Sequence, residues 1–139
     1  MSNLWKKLSK RARIISLITA GVIIAALVFG FVYMSGVQKY KKDVAALQVR
    51  NVDLSAIEDG EYFGDCDVGM VRASVRVVVL NHLITEIELL EHYNDRGGAA
   101  ESLPASMIRE QRVDVDAVSG ATSSSKVIQE AVYNALTGK

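Results

Sequence analysis

The sequence predicts an α+β protein, with an N-terminal transmembrane helix followed by a small antiparallel-sheet domain with packed helices. Three observations carry this. Ile14 to Met34 is a run of 21 residues without a charge. Val71, Ala73, Val75, Val77 and Val79 alternate with Arg72, Ser74 and Arg76, the period of a half-buried strand. Val127, Ile128, Ala131, Val132, Ala135 and Leu136 recur at helical spacing. A chain of 139 residues has room for that helix and one modest domain.

The elements follow in order. Residues 1–13 are a basic tail with Lys6, Lys7, Lys10, Arg11 and Arg13. Residues 14–34 form the transmembrane anchor: at about 1.5 Å per residue they cross a hydrocarbon layer of roughly 30 Å. A cleaved signal peptide has a shorter apolar core, about 7–15 residues, and a small-residue cleavage site, which is not seen here. Five bases precede the span and three follow it, Lys39, Lys41 and Lys42. The excess places the N-terminus in the cytoplasm and the remainder outside it, in a single-pass cell-membrane topology. The first 42 residues carry eight Lys and Arg and no acid, hence +8; residues 43–139 carry eight bases and 16 acids, hence −8. An acidic domain excludes nucleic acid as its partner. Residues 35–53 read as a juxtamembrane linker, helical around "KKDVAALQ". Residues 54–139 are the folded domain.

Within the domain, "IEDGEYFG" reads as the turn into a first strand, with turn residues at Asp59-Gly60 and Gly64. "MVRASVRVVVL" is that strand and "ITEIELLEH" answers it. A three-residue loop, Asn81 to Leu83, sets Val77 opposite Ile87, Val75 opposite Leu89 and Arg76 opposite Glu88. A two-residue loop would set Val77 and Val75 against glutamates, so the longer loop is expected. "LPASMIREQ" is a short helix with Pro104 in its first turn, where a missing N–H costs little. "RVDVDAV" is expected as a short strand. The last helix begins near Ser123 and stops at Gly138.

The stretch from Asp116 to Val132, "DAVSGATSSSKVIQEAV", holds more small hydroxyl residues than a turn needs. The first turn of a helix has N–H groups without internal partners and a positive potential, which attracts a phosphate. Gly120 and Ala121 let a ligand approach the backbone. Ser119, Thr122, Ser123, Ser124 and Ser125 supply hydroxyls. Serine and threonine are also favoured capping residues, so capping and anion binding both stand on the residues alone. The stretch lacks the glycine and lysine spacing of a P-loop and the three glycines of a dinucleotide fingerprint. A nucleophilic serine would need a histidine base, and His92 is the candidate, with nothing in the sequence to bring it near. His82 and His92 are too few and too far apart from other ligands for a metal site. Cys66 has no disulfide partner and reads as a loop thiol.

"VDAVSGATSSSKVIQEAVYNAL" resembles the flavinylation motif of the FMN-binding domain family. That family includes the FMN-carrying domains of the sodium-pumping NADH:quinone oxidoreductase and of the Rnf complex. The resemblance runs from about Ile57 to Leu136 and takes in "DGEYFG", the valine-rich hairpin, "LLEH" and "IREQ". It implies a covalent FMN, joined by a phosphoester to Thr122, the threonine that closes Ser-Gly-Ala-Thr. The implied installer is a flavin transferase, which takes FMN from FAD and reads Asp116, Ser119, Gly120 and Ala121. Ser123 and Ser124 are the remaining expected cofactor-binding residues. The implied role is extracytoplasmic electron transfer between membrane or extracytoplasmic redox proteins, beside membrane lipid. The alternative is an FMN-dependent reductase acting directly on a small molecule, and a further one is an anchor domain without flavin. The chain departs from larger relatives at "EHYNDRGG", which keeps His92 and the glycines but lacks a Glu-Thr pair. His92 there is expected to be a solvated strand end. Tyr62, Phe63 and Tyr93 are candidates for contact with the flavin ring.

Overall fold

The computed structural model describes residues 9–139; the start of the basic tail, with Lys6 and Lys7, lies outside the described residues. The chain has an α+β fold, and it divides into two compact units at Lys39/Tyr40.

Helix α1 runs from Lys10 to Ala46. It is long and apolar enough to cross a membrane, with a mean hydropathy of 2.6 over its most apolar 18 residues. Side chains such as Leu27, Phe29 and Phe31 are exposed along it. An apolar surface all round, with every backbone N–H and C=O paired inside the helix, is compatible with a membrane span. The expected linker, 35–53, is helical in its first part. Helix α1 continues through it to Ala46, and from Tyr40 the chain is part of the second unit. Val44 is buried in that unit's core, with Tyr40, Leu47 and Val52 packed against it.

The second unit is built on a three-stranded antiparallel sheet: β1 (Gly60–Asp67), β2 (Arg72–Leu80) and β3 (Leu83–Tyr93), in the order β1-β2-β3. Helix α2 spans Leu103–Glu110 and helix α3 spans Thr122–Thr137. The inward side chains of β2, Val75, Val77 and Val79, are wholly buried, as are Val127, Ile128, Ala131 and Val132 of α3. Burying a side chain of this size stabilises by about 1.5–3 kcal/mol relative to leaving it in water, so this sheet–helix layer is the main source of stability.

Strand β1 was not legible as a strand, because "GEYFG" has the composition of a turn. Its glycines hid it. Gly64 lies where α3 crosses the sheet, and a Cβ there would collide with the backbone of Ala131 and Ala135, lying 2.7 Å from the Ala135 Cα. A glycine inside a strand is the mark of such a close approach.

The hairpin register is the expected one at its centre: Val75↔Leu89, Arg76↔Glu88 and Val77↔Ile87 are paired. The loop is not. The turn has two residues, Asn81 and His82, both with positive φ (52° and 60°), the pattern of a type I′ turn. The extra residue sits in a bulge, because Val79 pairs with Ile84 while Val78 pairs with Glu86, leaving Thr85 unpaired. A second shift leaves Leu90 out between Leu89 and Glu91. Two bulges in one strand turn Ile84, Ile87, Leu89 and His92 inward together, a spacing that a strict period of two does not produce.

"RVDVDAV" is not a strand. It has no regular secondary structure, bends at Val113 and joins no sheet. Its polar backbone is satisfied by side chains: Gln129 Nε2 donates to the carbonyls of Val113 (3.3 Å) and Val115 (2.6 Å), and Val113 N–H donates to Asn51 Oδ1 (3.0 Å). Val113 and Val115 are buried, so some partner was obligatory, and one buried amide replaces a neighbouring strand. Gln111 does the same for the open edge of β3, its side-chain amide exchanging two bonds of 2.8 Å with the backbone of Ile84.

Cys66 is likewise not a loop thiol. It faces the core from β1 and is 8 % exposed. Burial first, then the negative charges of Glu130, Asp65 and Asp67, push its pKa up from 9.0 to about 11. Reactivity follows the thiolate, so a two-unit rise lowers it about 100-fold. Cys66 in the folded chain is therefore expected to react with iodoacetamide at pH 8 at least about 100-fold more slowly than in the chain unfolded by urea. Equal rates, read by mass spectrometry, would refute the buried placement.

Candidate functional site

The serine-rich stretch folds into a tight turn followed by α3. Ala121 N–H donates to Val118 O (3.0 Å), and Gly120 has φ +78°. A Cβ at Gly120 would meet nothing, so it is the left-handed backbone, not crowding, that favours glycine there. The residue capping α3 is Ala121, and no side chain caps the helix. The first helical N–H with a partner is that of Ser125, which donates to Ala121 O (2.9 Å). The N–H groups of Thr122, Ser123 and Ser124 have no acceptor among the described residues. Capping is thus not the work of these hydroxyls.

The hydroxyls fall into two groups. Ser125 is buried and its Oγ accepts from Val118 N–H (3.0 Å), which holds the loop onto the helix. Ser124 is buried against Gly97, where a Cβ would collide with its Oγ. Thr122 and Ser119 are exposed and Ser123 is half-buried. The Thr122 hydroxyl makes no hydrogen bond among the described residues.

These residues form one side of a cavity of about 410 Å³. Gly120, Ala121, Thr122, Ser123 and Ser124 are joined there by Met70 and Val71 from the β1–β2 turn, by Asp95, Arg96 and Gly97 after β3, and by Tyr40. Of the seven residues expected at the site, Asp116 and Ser119 lie outside this lining, exposed on the loop. Tyr62 donates its hydroxyl to Glu58 O (2.7 Å), Phe63 is exposed, and Tyr93 stacks under Arg72 at 5.4 Å. None of those three lines the cavity. Tyr40, Met70 and Arg96 do, and sequence reasoning missed them; no local pattern marks residues so far apart in the chain.

His92 is not a solvated strand end. Its side chain is 2 % exposed, with Nδ1 3.0 Å from Glu101 Oε1 and 3.2 Å from Asn94 Nδ2, and its Nε2 is buried without a partner. The bulge at Leu90 is what rotates it inward. Asn94 in turn accepts the Gly97 N–H (2.8 Å), so this group holds the loop that packs on Ser124. Among the described residues no cluster of ligands for a metal ion is found.

Residues 69–137 match the family model described as FMN-binding domain. That segment of the chain is similar to FMN-binding domains. No curated protein matches the chain. The matched segment begins at Gly69, in the turn after β1, and ends at the last residue of α3. It contains the whole cavity lining except Tyr40.

The cavity is chemically compatible with FMN. A volume of about 410 Å³ is within the range of small-molecule pockets. Three free N–H groups at the start of a 16-residue helix meet the need of a phosphate. Tyr40, Met70 and Val71 offer an apolar side for a planar ring. With α1 before it, the layout is compatible with a membrane-anchored flavin module.

Proposed function

We propose that the chain is a membrane-anchored, extracytoplasmic electron carrier with FMN attached through a phosphoester to Thr122. The observation that carries this is the Thr122 hydroxyl: exposed, without a hydrogen bond, on the wall of the cavity and beside three free N–H groups. In the attachment step a flavin transferase presents FAD. The Thr122 oxygen attacks the flavin-side phosphorus, a P–O bond forms, the pyrophosphate bond breaks, and AMP leaves. The hydroxyl proton passes to a base of the transferase. The diester keeps one negative charge, which the helix end favours. Asp116 and Ser119 are exposed on the loop, which supports a role in recognition by the transferase. FMN, when bound, supplies the redox chemistry; the protein supplies attachment, orientation and water exclusion. The domain's charge of −7, over residues 54–139, suits redox partners with basic docking faces. The relation to the FMN-carrying domains of the sodium-pumping oxidoreductase and the Rnf complex belongs to this same proposal. The acid and base of the cavity lining, Asp95 and Arg96, pair with each other at 3.6 Å and are both 91 % exposed. Neither is set up for the proton transfers that a reductase of small molecules would need, which favours the carrier reading.

The intact mass of the full-length chain tests the attachment. Co-expression with a flavin transferase is expected to add FMN less one water, and expression without it to add nothing. No gain with an active transferase would overturn the proposal. Topology is tested separately. A reporter fused after Lys139 is expected to be active only outside the cytoplasm, and cytoplasmic activity would overturn the extracytoplasmic placement.

A further inference from the structure

We propose that Tyr40 is a ring-binding residue of the flavin site, its phenol lying against the isoalloxazine. This rests on FMN being joined to Thr122. The cavity is chemically divided: Gly120 to Ser124 form a polar rim with three free N–H groups, while Tyr40, Met70 and Val71 form an apolar side. A flavin tied by its phosphate to the rim has that apolar side for its ring. Among the described residues, Tyr40 is the one aromatic in the lining. The other tyrosines of this unit are engaged elsewhere: Tyr62 with Glu58, Tyr93 with Arg72, and Tyr133 under Arg50 at 4.1 Å. Tyr40 is half-buried and its hydroxyl has no hydrogen-bond partner among the described residues.

Its position is set by packing. Tyr40 and Val44 share a face of α1, four residues apart, and Val44 is buried in the domain core at 9 % exposure. That anchor brings the last turns of α1 to the cavity. Isoalloxazine is an electron-poor planar ring and phenol an electron-rich one, so offset stacking is favourable. Met70, 40 % exposed, adds a polarisable sulfur beside it. Tyr40 lies outside the matched segment 69–137, so part of the flavin environment comes from the juxtamembrane helix.

Tyr40→Phe and Tyr40→Leu in the full-length, detergent-solubilised, flavinylated chain test this. Phenol donates an electron to an excited flavin and quenches it; phenyl stacks but does not. The flavin mass gain is expected in all three chains. Flavin emission is expected to rise in both variants, while Tyr40→Phe, which still stacks, keeps the wild-type absorbance band shape and melting temperature. A merely structural role would leave the emission of Tyr40→Phe unchanged, and that result would overturn the assignment. A wild-type chain without flavin mass would instead overturn the Thr122 attachment, and the Tyr40 assignment with it.

Discussion

Thr122→Ala co-expressed with the transferase keeps the mass of the unmodified chain, a complete loss of flavin. Thr122 has hydroxyl neighbours on both sides, so the comparison with them decides the acceptor. Ser123→Ala retains the mass gain, because its half-buried hydroxyl is not the one closing Ser-Gly-Ala-Thr. Ser125→Ala also retains it, but loosens the loop by removing the acceptor of Val118 N–H. Removing one such partner costs about 1–3 kcal/mol when the remaining group stays buried. Thr122→Ala itself leaves stability within about 0.5 kcal/mol, since the side chain is exposed, caps nothing and yields to a better helix former. Asp116→Ala lowers the fraction modified and leaves installed flavin in place. Intact mass and thermal melting of the same samples read all of this. Flavin still covalently bound to Thr122→Ala would refute the assignment.

Gly64→Ala lowers the stability of the folded unit by about 3 kcal/mol or more, the upper range for forced overpacking. The reason is what the new methyl meets. A flexible side chain could turn away, but here the neighbours are the backbone of Ala131 and Ala135 in α3. The helix has to lift from the sheet, and the buried layer of Val127, Ile128, Ala131 and Val132 lifts with it. For a domain of this size each kcal/mol moves the melting temperature by roughly 4–8 °C, so a drop above about 10 °C is expected. Near-ultraviolet dichroism of the tyrosines in the full-length chain follows it. Gly98→Ala is the control: a Cβ there meets nothing and φ is ordinary, so the melting temperature should hold or rise slightly. Equal melting for Gly64→Ala and wild type would mean that α3 does not rest on β1.

Periodicity made much of the architecture legible in advance. The charge-free run, the valine alternation of β2 and the apolar spacing of α3 each depend on one element and its nearest neighbour, so local pattern determined them. The central hairpin register was legible for the same reason, because pairing Arg76 with Glu88 and Val77 with Ile87 matches charge and burial across adjacent strands. The Ser-Gly-Ala-Thr stretch marked the loop as a candidate site, though on the residues alone capping and anion binding both stood.

Tertiary structure decided the rest. Gly64 looked like a turn because the helix that excludes a side chain there lies about seventy residues away in the chain. "RVDVDAV" looked like a strand because alternation reports burial, and not whether the partner is a backbone or the amide of Gln129. The bulge at Leu90 carried His92 from solvent into the interior, an effect of register that no single residue type announces. Most directly, the cavity wall unites Tyr40, Met70, Arg96 and Thr122, four residues that only the packing of α1, the β1–β2 turn and the loop after β3 around the start of α3 brings to one place.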